Sequence, residues 1–193
     1  MKGRPTLFEN KELVSRAQSV FWEKGYTATS LNDLLEVTGI GSGSFYNSFK
    51  GGKKEVFKAA ILQRRESFNN FRKELEISIT PLELIKDFFR GIAKSSKEEN
   101  LRGCIIANTV VEMTFLDDEL EAEAVHILKD VEKMFTDVLV KEKLNGNLSN
   151  PLSEQVLGRY LVTFWCGLNT LRRIYPDRKV LAEQIEMQLD ILR

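Results

Sequence analysis

Histidine occurs once in this chain of 193 residues, at position 126, and cysteine only twice, at 104 and 166. Zinc sites and histidine-based active sites need such side chains in clusters, and the two cysteines form no C-x-x-C pair. No metal, cofactor, disulfide framework or enzymatic activity is therefore expected. Four prolines leave long stretches without a backbone breaker. No apolar run approaches the ~18 residues that span a bilayer, and Met1 to Val14 lacks the apolar core of a secretory leader. A cytoplasmic protein with no membrane partner is expected. The two-residue alternation of a half-buried strand is nearly absent. Net charge is absent too, with 28 Lys or Arg against 28 Asp or Glu. That balance argues against nucleic acid, but its distribution does not. Residues 1–58 hold nine basic and six acidic side chains, a net +3, which leaves −3 on 59–193.

What is present is helical. Hydrophobic residues at 42 % and charged residues at 29 % are ordinary for a globular protein. Apolar side chains recur at helical spacing, as in Leu13, Ala17, Val20 and Phe21, and again in Ile185, Leu189 and Leu192, so the fold class is all-α. Thr80-Pro81-Leu82-Glu83 reads as a capping box with proline at the first helical position, and Asn150-Pro151 and Pro176-Asp177 read as further boundaries. The loop 145–150 is the clearest break.

The first sixty residues divide into short helices. Asn10 is placed to cap a helix that runs through Trp22 and stops at Gly25. Ser30 with Asp33 three residues on forms a capping-box start, Leu31, Leu34 and Leu35 supply a buried face, and Gly39 ends that helix. A third helix, roughly Ser42 to Phe49, follows at once, and this spacing suits a helix-turn-helix. Phe45 and Phe49 lie four apart and anchor its inner face, leaving Ser42, Ser44, Asn47 and Ser48 as small polar groups outside. Gly43 lets backbone approach a duplex, and the Tyr46 hydroxyl suits a phosphate oxygen. A three-helix scaffold with a solvated polar face is the plainer alternative.

The run Gly25-Tyr26-Thr27-Ala28-Thr29-Ser30-Leu31 through Gly39-Ile40-Gly41-Ser42-Gly43-Ser44-Phe45-Tyr46-Asn47-Ser48-Phe49 closely resembles the signature of TetR-family repressors. The resemblance covers about residues 5–60. It implies a helix-turn-helix DNA-binding domain at 1–58 and a helical ligand-binding and dimerisation domain at 59–193. It implies that Ser42, Gly43 and Ser44 face base edges in the major groove and that Tyr46 and Asn47 lie near the phosphates. Thr29 matches a phosphate-contacting residue, Lys53 the lysine that opens the fourth helix, and Arg4 a basic arm beside the DNA. Two features depart from the pattern. Gly41 stands where a capping serine is usual, and Lys50-Gly51-Gly52 is one residue longer than the usual connection, which leaves Lys54 and Lys50 as alternatives to Lys53.

Beyond residue 60 aromatic side chains are frequent, and Phe68, Phe89 and Trp165 are candidates for lining an effector pocket or for core packing. Cys104, Asn108 and Glu112 fall at i, i+4 and i+8, a polar line expected on one helix face, either a structural network or a pocket wall. Arg102-Gly103-Cys104 with Asn108 and Glu112 also resembles a TetR subgroup that answers electrophiles through a cysteine. Cys104 would then need Lys94, Lys97 or Arg102 nearby to favour its thiolate, and otherwise packs as a small hydrophobe. The last two helices, about Leu152 to Ile174 and Arg178 to Leu192, carry Val156, Tyr160, Leu161, Leu168, Leu171, Leu181, Ile185 and Leu189, which the resemblance places in a homodimer interface. The implied function is a dimeric regulator, most simply a repressor, released from a palindromic operator by a small-molecule effector. The alternative is a helical ligand-binding protein with degenerate DNA binding, which Gly41 and the longer loop would favour.

Overall fold

A computed structural model describes residues 7–175 and 177–193, with the backbone alone for 7–10. Among these residues there is no strand. Ten α-helices follow in order: α1 (Leu7–Ala28), α2 (Leu31–Thr38), α3 (Ser42–Ser48), α4 (Gly52–Ile77), α5 (Pro81–Ala93), α6 (Lys97–Arg102), α7 (Ile105–Met113), α8 (Asp118–Leu144), α9 (Glu154–Leu171) and α10 (Arg178–Leu189), the last closed by a 3₁₀ turn. None of the described helices is long and apolar enough to cross a membrane. No group of three or more His, Cys, Asp or Glu side chains among the described residues could hold a metal ion.

The chain forms two compact units. The first comprises the residues up to Ser67 together with Ile105–Ala124, and the second comprises Phe68–Cys104 together with Val125–Arg193. A single cut at residue 58 does not describe this division. Helix α7 lies far along the chain yet packs on α1, because its face bearing Ile105, Ile106 and Met113 is apolar and buried, with the Thr109 hydroxyl on it satisfied by the Ile105 carbonyl. The first unit is otherwise centred on Ala17, Phe21, Leu34, Phe45, Phe57 and Ile61, each at most 2 % exposed. Phe21 meets Phe57 edge to face at 4.9 Å, a favoured geometry for two rings.

Several boundaries differ from the sequence reading. Helix α1 already begins at Leu7, so Asn10 lies within it and does not cap it. The Thr80 side chain makes no cap hydrogen bond to α5; Glu83 turns to Lys86 and Arg90, leaving the expected capping box unformed. Helix α9 starts at Glu154, with Ser153 as its cap.

The second unit is held by joined aromatic rings. Phe68 stands edge-on to Trp165 at 5.4 Å, Phe88 meets Phe89 at 5.4 Å, and Phe89 stacks on Phe164 at 5.1 Å. Phe68, Phe89 and Trp165 are all buried in this packing. Leu161, Leu168, Leu181, Ile185 and Leu189 are buried in it as well, so they do not form the dimer surface expected of them. The physical reason is that α9 and α10 each have one apolar stripe, and it covers the core of its own protomer, α10 lying on α5 with Arg90 bridging to Glu186 at 2.7 Å. The opposite face of α9 stays open. Val156 is 52 % and Leu171 43 % exposed, with exposed Thr163 and Gly167 between them at helical spacing and half-buried Tyr160 bonded to Gln188. On α10, Val180 and Met187 are likewise exposed, two apolar positions that the periodicity did not single out.

Candidate nucleic-acid interface

Helix α2 begins as its sequence requires. The Ser30 hydroxyl accepts from the Asp33 N–H at 3.1 Å while the Asp33 carboxylate accepts from the Ser30 N–H at 2.8 Å, a reciprocal cap. Lys24 donates to the same carboxylate at 2.6 Å, and this bond together with the Ser30 donors lowers its pKa to about 2. The helix ends at Gly39, whose φ of 69° is left-handed and whose N–H returns to the Leu35 carbonyl. Helix α3 follows after three residues, and Gly41 at its N-cap position provides no side-chain cap.

On α3 the inward side is Phe45, fully buried, with Phe49 beside it at 5.5 Å between ring centroids. The outward side consists of Ser42, Gly43, Ser44, Tyr46 and Asn47, all exposed. Five of the eight expected contact residues are thus brought together on one helix of seven residues. A surface of small hydroxyl and amide groups with an open Gly43, beside which no atom lies within 4 Å of an added Cβ, admits close approach by another molecule. Its polar groups are of the kind that meet base edges and phosphates.

The remaining three are placed differently. Arg4 lies outside the described residues. Thr29 is 1 % exposed, and its hydroxyl donates to the Gly25 carbonyl at 2.6 Å, so its side chain is not available to a phosphate. The Thr29 N–H donates to the Tyr26 carbonyl at 3.3 Å, and the inward-turned hydroxyl serves the Gly25 carbonyl. Lys53 is half-buried near the start of α4. Its ammonium donates to the Thr27 carbonyl at 3.4 Å and sits 4.4 Å from the centroid of the Tyr26 ring. Burial pulls its pKa down, while Glu112 and Asp33 oppose the shift. Lys54 is engaged elsewhere, in ion pairs with Asp117 at 2.8 Å and Glu119 at 2.9 Å that raise its pKa.

The polar line of Cys104, Asn108 and Glu112 does not form. Cys104 precedes α7 and belongs to the second unit, whereas Asn108 and Glu112 lie on α7 in the first. The Glu112 carboxylate accepts from the backbone N–H groups of Tyr26 and Thr27. Periodicity can place a residue on a helix face but cannot name what that face meets, so this partnership left no mark in the local sequence. Cys104 is buried, and Arg172, a neighbour that spacing could not reveal, is coupled to it by charge. The Arg172 guanidinium is 7 % exposed and donates to the carbonyls of Glu99 and Gly103, and its Nε has no partner. Burial lowers its pKa, with Cys104 and Glu99 opposing. The Cys166 thiol is pushed up to about 12, first by burial and then by nearby Cys104.

The family profile described as bacterial regulatory proteins of the tetR family matches residues 13–60, and a tetracyclin repressor-like C-terminal domain matches residues 81–187. An uncharacterised HTH-type transcriptional regulator of Bacillus subtilis, YezE, is 30 % identical over 193 residues, covering 98 % of this chain and 99 % of its own. The HTH-type transcriptional repressor DhaR of Mycobacterium sp. is 25 % identical over 187 residues, covering 94 % of this chain and 91 % of its own. Among solved structures, a cysteine mutant of the regulator CifR, in complex with 26-bp double-strand operator DNA, superposes with a TM-score of 0.80 at 24 % identity, covering 99 % of this chain and all of that one (100 %).

Proposed function

The chain belongs to the TetR family of bacterial regulatory proteins, and we propose that it is a cytoplasmic, dimeric repressor that binds a palindromic operator and leaves it when a small electrophile reaches Cys104. Residues 1–58 read the DNA in this view, and the helices of 59–193 supply dimerisation and the effector site. The observation that carries the DNA reading is the outward face of α3, where Ser42, Gly43, Ser44, Tyr46 and Asn47 stand exposed over a buried Phe45. One seven-residue helix makes few base contacts, so two copies on successive major grooves are needed for operator affinity.

Selection of bound sequences from random duplex DNA tests this directly. A palindrome with half-sites about one helical turn apart is expected; sequence-independent, salt-sensitive retention alone would instead support the degenerate alternative. Within a selected operator, Ser44→Ala is expected to change base preference at one position per half-site. Lys53→Ala is expected to weaken all sequences alike and to make the salt dependence shallower by about one contact per subunit. An unchanged salt slope would remove Lys53 from the phosphate contacts.

The effector reading rests on the neighbourhood of Cys104. The buried Arg172 guanidinium, held on the carbonyls of Glu99 and of Gly103 next to Cys104 in the chain, favours a thiolate there, and a thiolate is the nucleophilic form. An α,β-unsaturated carbonyl would bond through its β-carbon to sulfur, with solvent supplying the proton at the α-carbon. Treatment with such a compound is expected to release the wild-type protein and a Cys166→Ser variant from operator, but not Cys104→Ser. Release of Cys104→Ser at the same dose would place the effector elsewhere.

A further inference from the structure

We propose that Glu112 is a positioning residue for DNA recognition: its carboxylate holds the last turn of α1, beyond the break at Gly25, from which α2, α3 and the Lys53 ammonium are presented. The backbone at Gly25 (φ 81°, ψ 174°) breaks the helix in a region that only glycine occupies readily. Beyond such a break the next N–H groups have lost their helical acceptors. Here one carboxylate takes both, Oε2 from the Tyr26 N–H at 2.9 Å and Oε1 from the Thr27 N–H at 2.7 Å. It approaches so closely that a Cβ added at Gly25 would stand 3.0 Å from Oε2.

The clamped turn supports groups that the DNA reading uses. The Thr27 carbonyl receives Lys53, the Tyr26 ring supports the same ammonium, and Thr29 closes back on Gly25 one residue before the Ser30 cap of α2. Tyr26 also packs on Phe57 at 4.9 Å, which ties the turn to α4. An acceptor pair on α7, 85 and 86 residues away in sequence, therefore sets where the helix-turn-helix starts. A carboxylate suits this role because it accepts two charge-assisted hydrogen bonds at once. It also lies within electrostatic reach of Lys53, whose charge it supports.

The inference rests on the DNA-binding reading above, and its test is built so that the two fail separately. Operator affinity, thermal unfolding and backbone hydrogen exchange are measured on full-length wild type, Glu112→Ala, Glu112→Gln and Lys53→Ala with Glu112→Ala. Glu112→Ala is expected to bind operator about tenfold more weakly, less than two lost charge-assisted hydrogen bonds would cost in full because they act on binding only by positioning the turn, while remaining folded at the assay temperature. Glu112→Gln keeps one carbonyl acceptor and is expected to recover part of the loss. The double variant should lose less than the two single losses together, since both act through Thr27. In the DNA-free protein, exchange at Tyr26, Thr27 and along α2 should quicken in Glu112→Ala. Operator affinity within twofold of wild type in Glu112→Ala, or a loss explained wholly by the unfolded fraction, would overturn the proposal. If the wild type selects no operator, the DNA reading fails, and the clamp itself then stands or falls on the exchange of α2.

Discussion

Phe45→Ala is expected to destabilise the first unit by about 3–5 kcal/mol and to abolish operator binding. A helix of seven residues is far below the length at which a helix holds itself together in water, and Gly41 at the N-cap position of α3 provides no side-chain cap. What keeps it formed is the burial of one face. Phe45 is fully buried, with the Phe49 ring at 5.5 Å and the Tyr46 ring at 5.6 Å, so truncation removes its contacts with two aromatic rings at once. The outer face is expected to behave oppositely. Ser42→Ala should change stability by less than about 0.5 kcal/mol and act only on DNA. Urea unfolding alongside operator binding separates the two effects. A cost below about 1 kcal/mol for Phe45→Ala would mean that α3 is held by something other than this side chain.

The second large effect concerns assembly. Val156→Arg combined with Leu171→Arg is expected to yield a folded monomer whose operator affinity is lower by about 10²–10⁴-fold, the range by which linking two sites raises avidity. Both side chains lie on the open face of α9, at 52 % and 43 % exposure, so changing them empties no core position. Exposed Gly167 and Thr163 between them allow a second helix to come close. In a two-fold interface each charge is present in both copies, and four arginines facing one another repel. Sedimentation together with operator titration reads the result. A double variant that stays dimeric would move the interface off α9. Leu161→Arg is the contrasting case, because that residue is fully buried and the protomer itself should fail to fold.

Much of the DNA-reading half was legible in the linear chain because its determinants are local. The Ser30–Asp33 cap, the left-handed Gly39 and the four-residue spacing of Phe45 and Phe49 are interactions between near neighbours, and all are found as the spacing implies. The outward Ser42, Ser44 and Asn47 follow from the same periodicity, since a helix with one buried face must expose the other. The capping box at Thr80 was equally local and yet did not form. Lys86 and Arg90 compete for Glu83, and a short motif is indifferent to that competition.

Contacts distant in sequence were of another kind. That Leu181, Ile185 and Leu189 would turn into their own protomer while Val156 and Leu171 stayed outside depended on what lay against α9 and α10. An apolar stripe has the same pattern whether its partner is a core or a twin. Arg172 beside Cys104, and Glu112 beneath Tyr26 and Thr27, join residues about 70 and 85 positions apart. The linear chain decided the helices, the two ends of α2 and the character of α3, because those depend on hydrogen bonds and side chains within a few residues. Only the packed chain decided that Thr29 is enclosed, that Lys53 leans on Tyr26 and that Glu112 holds the turn, because a buried donor or charge takes whatever partner the fold brings within about 3 Å.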